Sequence, residues 1–281
     1  MRLLTWNVQW CRGIDGNVDP SRIAVTARRM ADFDVLCLQE VAVNFASLPG
    51  SRGEDQVRAL AALFPGYDAH YGAATDIAGP ANTRSQFGNL ILSRLPVHQV
   101  FRHLLPWPAD AASPSMQRLA LEVVVQAAWG PVRITTTHLE YYSATQRNAQ
   151  IEALRRLHRE ACAHARTPRA AGEGPFAPRP RPAAAIFTGD FNLGPGSAGH
   201  ARMCAGFEDG TAPLRDAWEV AHPGRPHAPT VGIHENSFSD RPDCFDFIFL
   251  TPDLACRVSE VAVDGGTRAS DHQPVLLALR D

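Results

Sequence analysis

Lysine is absent. All 27 basic residues of this 281-residue chain are arginine, so any cationic side chain that meets a phosphate here is a planar, permanently charged guanidinium. A surplus of either charge is also lacking: 27 basic residues against 29 acidic ones leave a formal net charge of −2. That argues against a basic face gripping nucleic acid without regard to sequence. No apolar run reaches the roughly 18 residues of a membrane span. Nor does an apolar signal segment follow Met1, because Met1-Arg2-Leu3-Leu4-Thr5-Trp6 passes at once into a strand pattern. The six cysteines (Cys11, Cys37, Cys162, Cys204, Cys244, Cys256) are scattered without a C-x-x-C pair. A chain of this length needs no disulfide staples, so reduced thiols are expected. The expectations are a cytoplasmic protein without membrane association and, with no heptad pattern or apolar stripe, a monomer.

What the chain does contain suits a folded body with a large core. It is 45% hydrophobic and 20% charged, without a fixed-period repeat or a boundary, so residues 1–281 are expected to form one domain. Strand patterns occur at residues 3–8, 34–38, 89–93, 97–104, 119–126, 132–137, 183–188, 245–250, 257–263 and 275–279. Helical spacing predicts helices at 21–30 and at 55–63, where Val57, Leu60 and Leu63 share a face. The clearest helix follows Ser143. There Gln146 completes a capping-box pattern, and Ile151, Leu154 and Leu157 form an apolar stripe ending near Ala165. Residues 166–182, rich in Pro, Gly, Ala and Arg, are expected to form an exposed loop, either a solvated linker or a phosphate-binding arm. Hairpins mixed with helical crossovers imply an α+β or α/β body of two packed sheets with helices outside.

Polar residues recur where these strands end or are interrupted: Asn7, Glu40, His138, Asp190, Asn192, Asp246, Asp271 and His272. Singly, each has an ordinary explanation as a turn residue, a solvated acid or a satisfied core histidine. Together they are harder to dismiss, because a strand holds its side chains rigidly and aims a terminal one beyond the sheet. Acids at several strand ends, with histidines among them, suit a hard divalent cation and an anionic substrate. Asp246 stands between Phe245 and Phe247, where a carboxylate needs a partner against desolvation, and His272 is the expected one. Arg118 is either a phosphate contact or a surface strand residue. Tyr141, Tyr142 and Arg147 either line the mouth of the site, with Arg147 on a substrate phosphate, or pack the helix start.

The segments Thr5-Trp6-Asn7, Leu38-Gln39-Glu40, Thr137-His138, Gly189-Asp190-Phe191-Asn192, Phe245-Asp246-Phe247 and Ser270-Asp271-His272, in this order, resemble the endonuclease/exonuclease/phosphatase superfamily. Its members include exonuclease III-like repair nucleases, pancreatic-type deoxyribonuclease, bacterial sphingomyelinases and inositol-polyphosphate phosphatases. The resemblance implies an α+β, four-layer α-β-β-α sandwich with its site at one end of the sheets. It also implies a Mg²⁺-dependent hydrolase of phosphate esters, with Mn²⁺ as a substitute. Glu40 would be the main metal ligand, with Asn7 and Asp271 close by, directly or through water. Asp190 would orient or deprotonate the attacking water, helped by Asn192. His272, fixed by Asp246, would donate to a phosphate oxygen or act as the base. His138 would stabilise the transition state or protonate the leaving oxygen. Asn89, in the family-like Phe87-Gly88-Asn89, would line the site.

The substrate is less defined. Val41-Ala42-Val43 follows Glu40, where exonuclease III-like enzymes carry a lysine, and Phe247 follows Asp246, where inositol phosphatases carry a cation. A phosphodiester of DNA or RNA is expected first, and a small-molecule or lipid-linked ester is the alternative. A binding module on the same fold is the reading from another class.

Overall fold

Strands that are apolar at every position are covered on both faces, and the chain puts them at the centre of two sheets. The computed structural model describes residues 1–234 and 241–281. Its strands are β1 (Arg2–Asn7), β2 (Val35–Val43), β3 (Asp68–Ala78), β4 (Arg84–Ser93), β5 (Val97–Leu104), β6 (Leu119–Ala127), β7 (Gly130–His138), β8 (Ala185–Asp190), β9 (Arg215–Asp216), β10 (Asp246–Leu250), β11 (Val258–Val263) and β12 (Val275–Leu279). The helices are α1 (Pro20–Met30), α2 (Gln56–Leu63), α3 (Ala144–Arg166), α4 (Ala198–Cys204), α5 (Ala217–Ala221) and α6 (Pro252–Ala255). One sheet runs β11-β12-β1-β2-β4-β3 and the other β5-β6-β7-β8-β10-β9.

Alternation along each strand builds three layers of apolar contact. Leu3, Cys37, Ile91 and Leu277 of the first sheet meet Leu121, Ile134, Ile186 and Ile248 of the second in a shared inner core. Their chain neighbours face outward. Leu4, Trp6 and Leu36 pack with Ile23 and Ala27 of α1 and Leu60 of α2. Phe187, Phe247 and Phe249 pack with Ile151 and Leu154 of α3 and Met203 of α4. The result is a four-layer α-β-β-α sandwich of the α+β class. Burying each such Leu or Phe stabilises the fold by about 1.5–3 kcal/mol. The six cysteines are free, and no helix among the described residues is long and apolar enough to cross a membrane.

Several details depart from the sequence reading. β3 is an edge strand, exposed over much of its length, so it carries no alternation that marks it as a strand. β4 and β5 do flank Arg94-Leu95-Pro96, but they lie in different sheets, so this turn carries the chain between layers. β2 continues beyond Glu40 through a register shift between Leu38 and Val41. At the start of α3, Ser143 Oγ accepts from the Gln146 N–H at 3.2 Å, yet the Gln146 side chain donates to the Pro108 carbonyl, so the capping box is half made.

A charged group lies inside the second sheet's outer core. Arg133 and Glu122 are fully buried and paired at 3.2 Å. Arg133 Nη2 also donates to His158 Nδ1 at 2.9 Å, and His158 Nε2 donates to the Ala212 carbonyl at 3.0 Å. Both ring nitrogens are thus committed to the neutral tautomer. Burial, and then the Arg133 charge, lower the His158 pKa from 6.5 to about 4. The unfolded chain therefore takes up this proton first as pH falls. The stability associated with neutral His158 is fully present above pH 6.5 and is lost towards pH 4, at most roughly 3 kcal/mol. Urea unfolding between pH 7.5 and 4.5 is expected to show that loss, and His158→Gln is expected to flatten it.

Strand direction decides where the polar residues gather. Parallel β7 and β8 bring His138 beside Asp190, and antiparallel β10 sets Asp246 opposite Asp190. Parallel β1 and β2 align Asn7 with Gln39, next to Glu40. β12 runs antiparallel to β1 and is entered through Asp271 and His272, so these two residues arrive at the same edge.

Candidate active site

Backbone conformation at this edge is unusual. Glu40 sits at the β2 bulge with φ 60°, Gln9, Trp10 and Cys11 have φ of 46°, 44° and 60°, and Asn192 has φ 51°. Side-chain-bearing residues seldom adopt such angles, and bulges of this kind re-aim a side chain out of the sheet. Gly189 has φ 127°, and a Cβ there would lie 2.0 Å from the Thr137 carbonyl oxygen. Only glycine lets β8 lie this close to β7 just before Asp190.

Asp190 is the hub. Its Oδ2 accepts from Asn7 Nδ2 at 3.0 Å and faces His138 Nε2 at 3.5 Å and His272 Nε2 at 3.7 Å. Its Oδ1 accepts from the Asn192 N–H at 2.9 Å. Asn7 Nδ2 also donates to Glu40 Oε1 at 3.0 Å, and His138 Nδ1 lies 3.6 Å from that oxygen. His272 Nδ1 is bound to Asp246 Oδ2 at 2.8 Å, while Trp6 Nε1 donates to the His272 carbonyl at 2.9 Å. Asp271 Oδ2 accepts from Gln9 Nε2 at 2.6 Å. A cleft of about 160 Å³ opens above, lined by Glu40, Arg118, His138, Tyr141, Tyr142, Asp190, Asn192, Asp271 and His272 from the expected set.

The two imidazoles are driven apart electrostatically. Burial, then the Arg118 and His272 charges, push His138 well below the ordinary histidine range, so it is neutral. Burial also pulls His272 down, but the carboxylates of Asp246 and Asp190 outweigh it and raise it well above that range. Burial lifts Asp190 to about 6, against the opposing His272 charge. Glu40 rises to about 7 through desolvation and the nearby Asp271 carboxylate.

The remaining expected residues are placed as follows. Asn7 lies beneath the cleft with its amide oxygen taken by the Gln9 N–H at 3.1 Å, so its nitrogen faces Glu40 and Asp190. Asn192 Nδ2 donates to the Leu139 carbonyl. Arg118 pairs with buried Glu140 at 3.2 Å, and its buried Nη1 has no partner among the described residues. Arg147 is not part of the lining: its Nη1 holds the Glu140 and Tyr141 carbonyls. Asn89 donates to the Leu119 carbonyl and borders a smaller hollow beside the cleft. Gln9, Trp10, Val231 and Phe245 also line the cleft, although the sequence reading did not select them. Gln9 stands two residues after Asn7, and Phe245 directly precedes Asp246.

Glu40, Asp190 and Asp271 bring three carboxylates to one cleft, and Arg118 there is already engaged by Glu140. Desolvated acids that repel one another fit a divalent cation, and the oxygen donors of Glu40 and Asp271 are the ones it would find. Asp190, Asp246 and His272 also have ligand atoms within 4.8 Å of one another. With Nδ1 of His272 bound to Asp246, that trio is better described as a hydrogen-bonded acid–imidazole couple.

Residues 4–272 match the Endonuclease/Exonuclease/phosphatase family. Among solved structures, the chain is similar to an endonuclease/exonuclease/phosphatase from Beutenbergia cavernae, with 26% identity, TM-score 0.68, and coverage of 100% of this chain and 71% of that one. It shares a fold with the mannosyl-6-phosphatase of Bacteroides thetaiotaomicron (16% identity, TM-score 0.68, 100% of both chains). The same holds for D. rerio TDP2, solved with a single-strand DNA product (20% identity, TM-score 0.66, 100% of this chain and 99% of that one). No curated protein matches the chain in sequence.

Proposed function

We propose, for a chain that belongs to the endonuclease/exonuclease/phosphatase family, that it hydrolyses phosphate esters with Mg²⁺ and that its substrate is a nucleic-acid phosphodiester. Asp190 carries the reading, since its Oδ2 is 3.5 and 3.7 Å from two imidazole nitrogens at the floor of an acidic cleft. A water held by Asp190 attacks phosphorus in line. The new O–P bond forms as the ester P–O bond breaks, and the water's proton passes to Asp190. His272, its Nδ1 fixed by Asp246, presents Nε2 to a nonbridging oxygen, and neutral His138 donates a hydrogen bond to the same phosphoryl group. Glu40 and Asp271 would hold Mg²⁺, with Asn7 bracing Glu40; when bound, the ion supplies charge neutralisation at the phosphoryl and leaving oxygens. Arg118, on the cleft wall, binds the phosphate.

Trp10, Tyr141, Tyr142 and Phe245 on the cleft walls favour nucleic acid, because aromatic rings stack on bases of any sequence. Tyr142 is 57% exposed, and its ring meets Tyr141 edge-on at 4.9 Å. The small volume of the cleft, about 160 Å³, favours the second reading, a small-molecule phosphate ester. TDP2 with its DNA product and the mannosyl-6-phosphatase represent the two substrate classes on this fold. The chain acts as one cytoplasmic domain and as a monomer.

A panel of single-stranded and nicked DNA, RNA, sugar phosphates, nucleotide monophosphates and phosphoinositides, assayed in Mg²⁺ and in Mn²⁺, separates these readings. The highest kcat/KM is expected on a nucleic-acid diester. Preference for a sugar phosphate would move the assignment to the second reading.

A further inference from the structure

Behind Asp246, away from the cleft, a second constellation stands that the proposed hydrolysis does not use. His200 comes from α4, Asp216 closes β9 and caps α5, and His227 lies in the loop after α5. Nε2 of His200 and Nε2 of His227 each lie 2.8 Å from Asp216 Oδ2, and the three ligand atoms are within 4.8 Å of one another. All three side chains are more than nine-tenths buried, at 6%, 1% and 9% exposure in chain order. Their surroundings are aromatic: His200 packs on Phe247 and Phe249, and His227 on Trp218 and Phe247.

We infer that His200, Asp216 and His227 form a second metal site, suited to zinc or a similar transition ion. Two imidazoles and one carboxylate are a known zinc donor set that leaves a further position open. Asp216 Oδ2 receives both imidazole contacts and its Oδ1 accepts from the Trp218 N–H at 2.7 Å; among the described residues no arginine bonds this carboxyl.

An independent observation lies alongside. A space of about 10 Å³, enough for one water, is lined by Asp216, His227, Thr230, Cys244 and Asp246. Asp246 is one of the residues around it, is 3% exposed, and its Oδ1 has no hydrogen-bond partner among the described residues. A water in this space completes the metal's shell and bonds that orphan oxygen. The site thereby ties α4, β9 and the 222–230 segment to the acid that orients His272.

The test uses the full chain, stripped with a chelator and titrated with Co²⁺ alone, in wild type and in a Glu40→Gln background that weakens the cleft's own cation site. One equivalent of Co²⁺ is expected to bind in the Glu40→Gln background, with the visible absorption of a nitrogen-ligated ion of low coordination number, and wild type is expected to take up the same equivalent besides any cobalt held in the cleft. Zn²⁺ is expected to displace it and, at 100 times its Kd, to raise Tm by about 5 °C. His200→Gln and His227→Gln keep an N–H donor for Asp216, so circular dichroism should show them folded, while Co²⁺ affinity falls at least about 100-fold. Lack of cobalt uptake in the Glu40→Gln background, or uptake unchanged by both glutamine variants, overturns the assignment. Neither result bears on phosphate-ester hydrolysis, which is scored separately by activity.

Discussion

Asp190→Ala is expected to lower kcat on a phosphodiester by about 10²–10⁴-fold, the range a positioned acid or base contributes. Four groups converge on this carboxylate: Asn7, His138, His272 and the Asn192 N–H. Loss of the side chain leaves them without a shared acceptor and leaves the attacking water without orientation. Stability is expected to move the other way. Burial raises the Asp190 pKa above its value in the unfolded chain, so holding the acid ionised at neutral pH opposes folding. The Tm of Asp190→Ala, measured without added metal, should therefore equal or exceed that of wild type. Such sites commonly sacrifice stability for chemistry. His272→Ala is expected to lose a comparable factor in kcat. Turnover near the wild-type rate in either variant would remove the proposed roles, and a collapsed Tm would mean the assay reports folding.

The largest stability effect is expected at Arg133, remote from the cleft. Arg133→Ala strands Glu122, which is fully buried and then retains, among the described residues, only Arg181 as a cationic partner, and it leaves His158 Nδ1 without its donor. Removing one member of a buried pair typically costs about 3–5 kcal/mol, because the remaining charge is uncompensated. For a chain of this size that corresponds to a drop in Tm of roughly 5–9 °C. Arg94 is the control. It pairs with Asp32 and Asp34 at the surface, where Asp32 is 76% exposed, and Arg94→Ala should cost at most about 1 kcal/mol. Equal losses at the two positions would show that burial does not govern these pairs.

How much was legible follows from what each residue leaves in the chain. Asp190 and Asp246 stand out because a carboxylate inside an apolar strand is expensive, and their meeting with His138 and His272 follows once strand direction is known. The shared inner core was readable as runs apolar on both faces. Glu40 was readable as an acid at a strand, but its left-handed backbone has no sequence signature, so the strand looks as if it ends where it bulges. Asn7 reads as an oxygen donor to metal, yet its amide nitrogen faces Glu40 and Asp190, a choice made by the Gln9 N–H two residues on. Arg118 could be named as a candidate, but not its pairing with Glu140, which needs α3 in place. Trp10 and Val231 reach the cleft from separate loops, and no local pattern links them. The His200, Asp216 and His227 cluster was invisible for a related reason: α4, β9 and α5 are seven, two and five residues long, too short to show a period.

Hydrolysis of bis(p-nitrophenyl) phosphate with and without Mg²⁺ addresses the central claim most directly, because it asks only whether the cleft cleaves a phosphodiester with a divalent ion. Metal-dependent release of p-nitrophenol is expected from the wild-type chain, abolished by chelator and by Glu40→Gln. A folded wild-type protein that releases none with Mg²⁺ or Mn²⁺ would contradict the account and leave a binding module on a hydrolase scaffold.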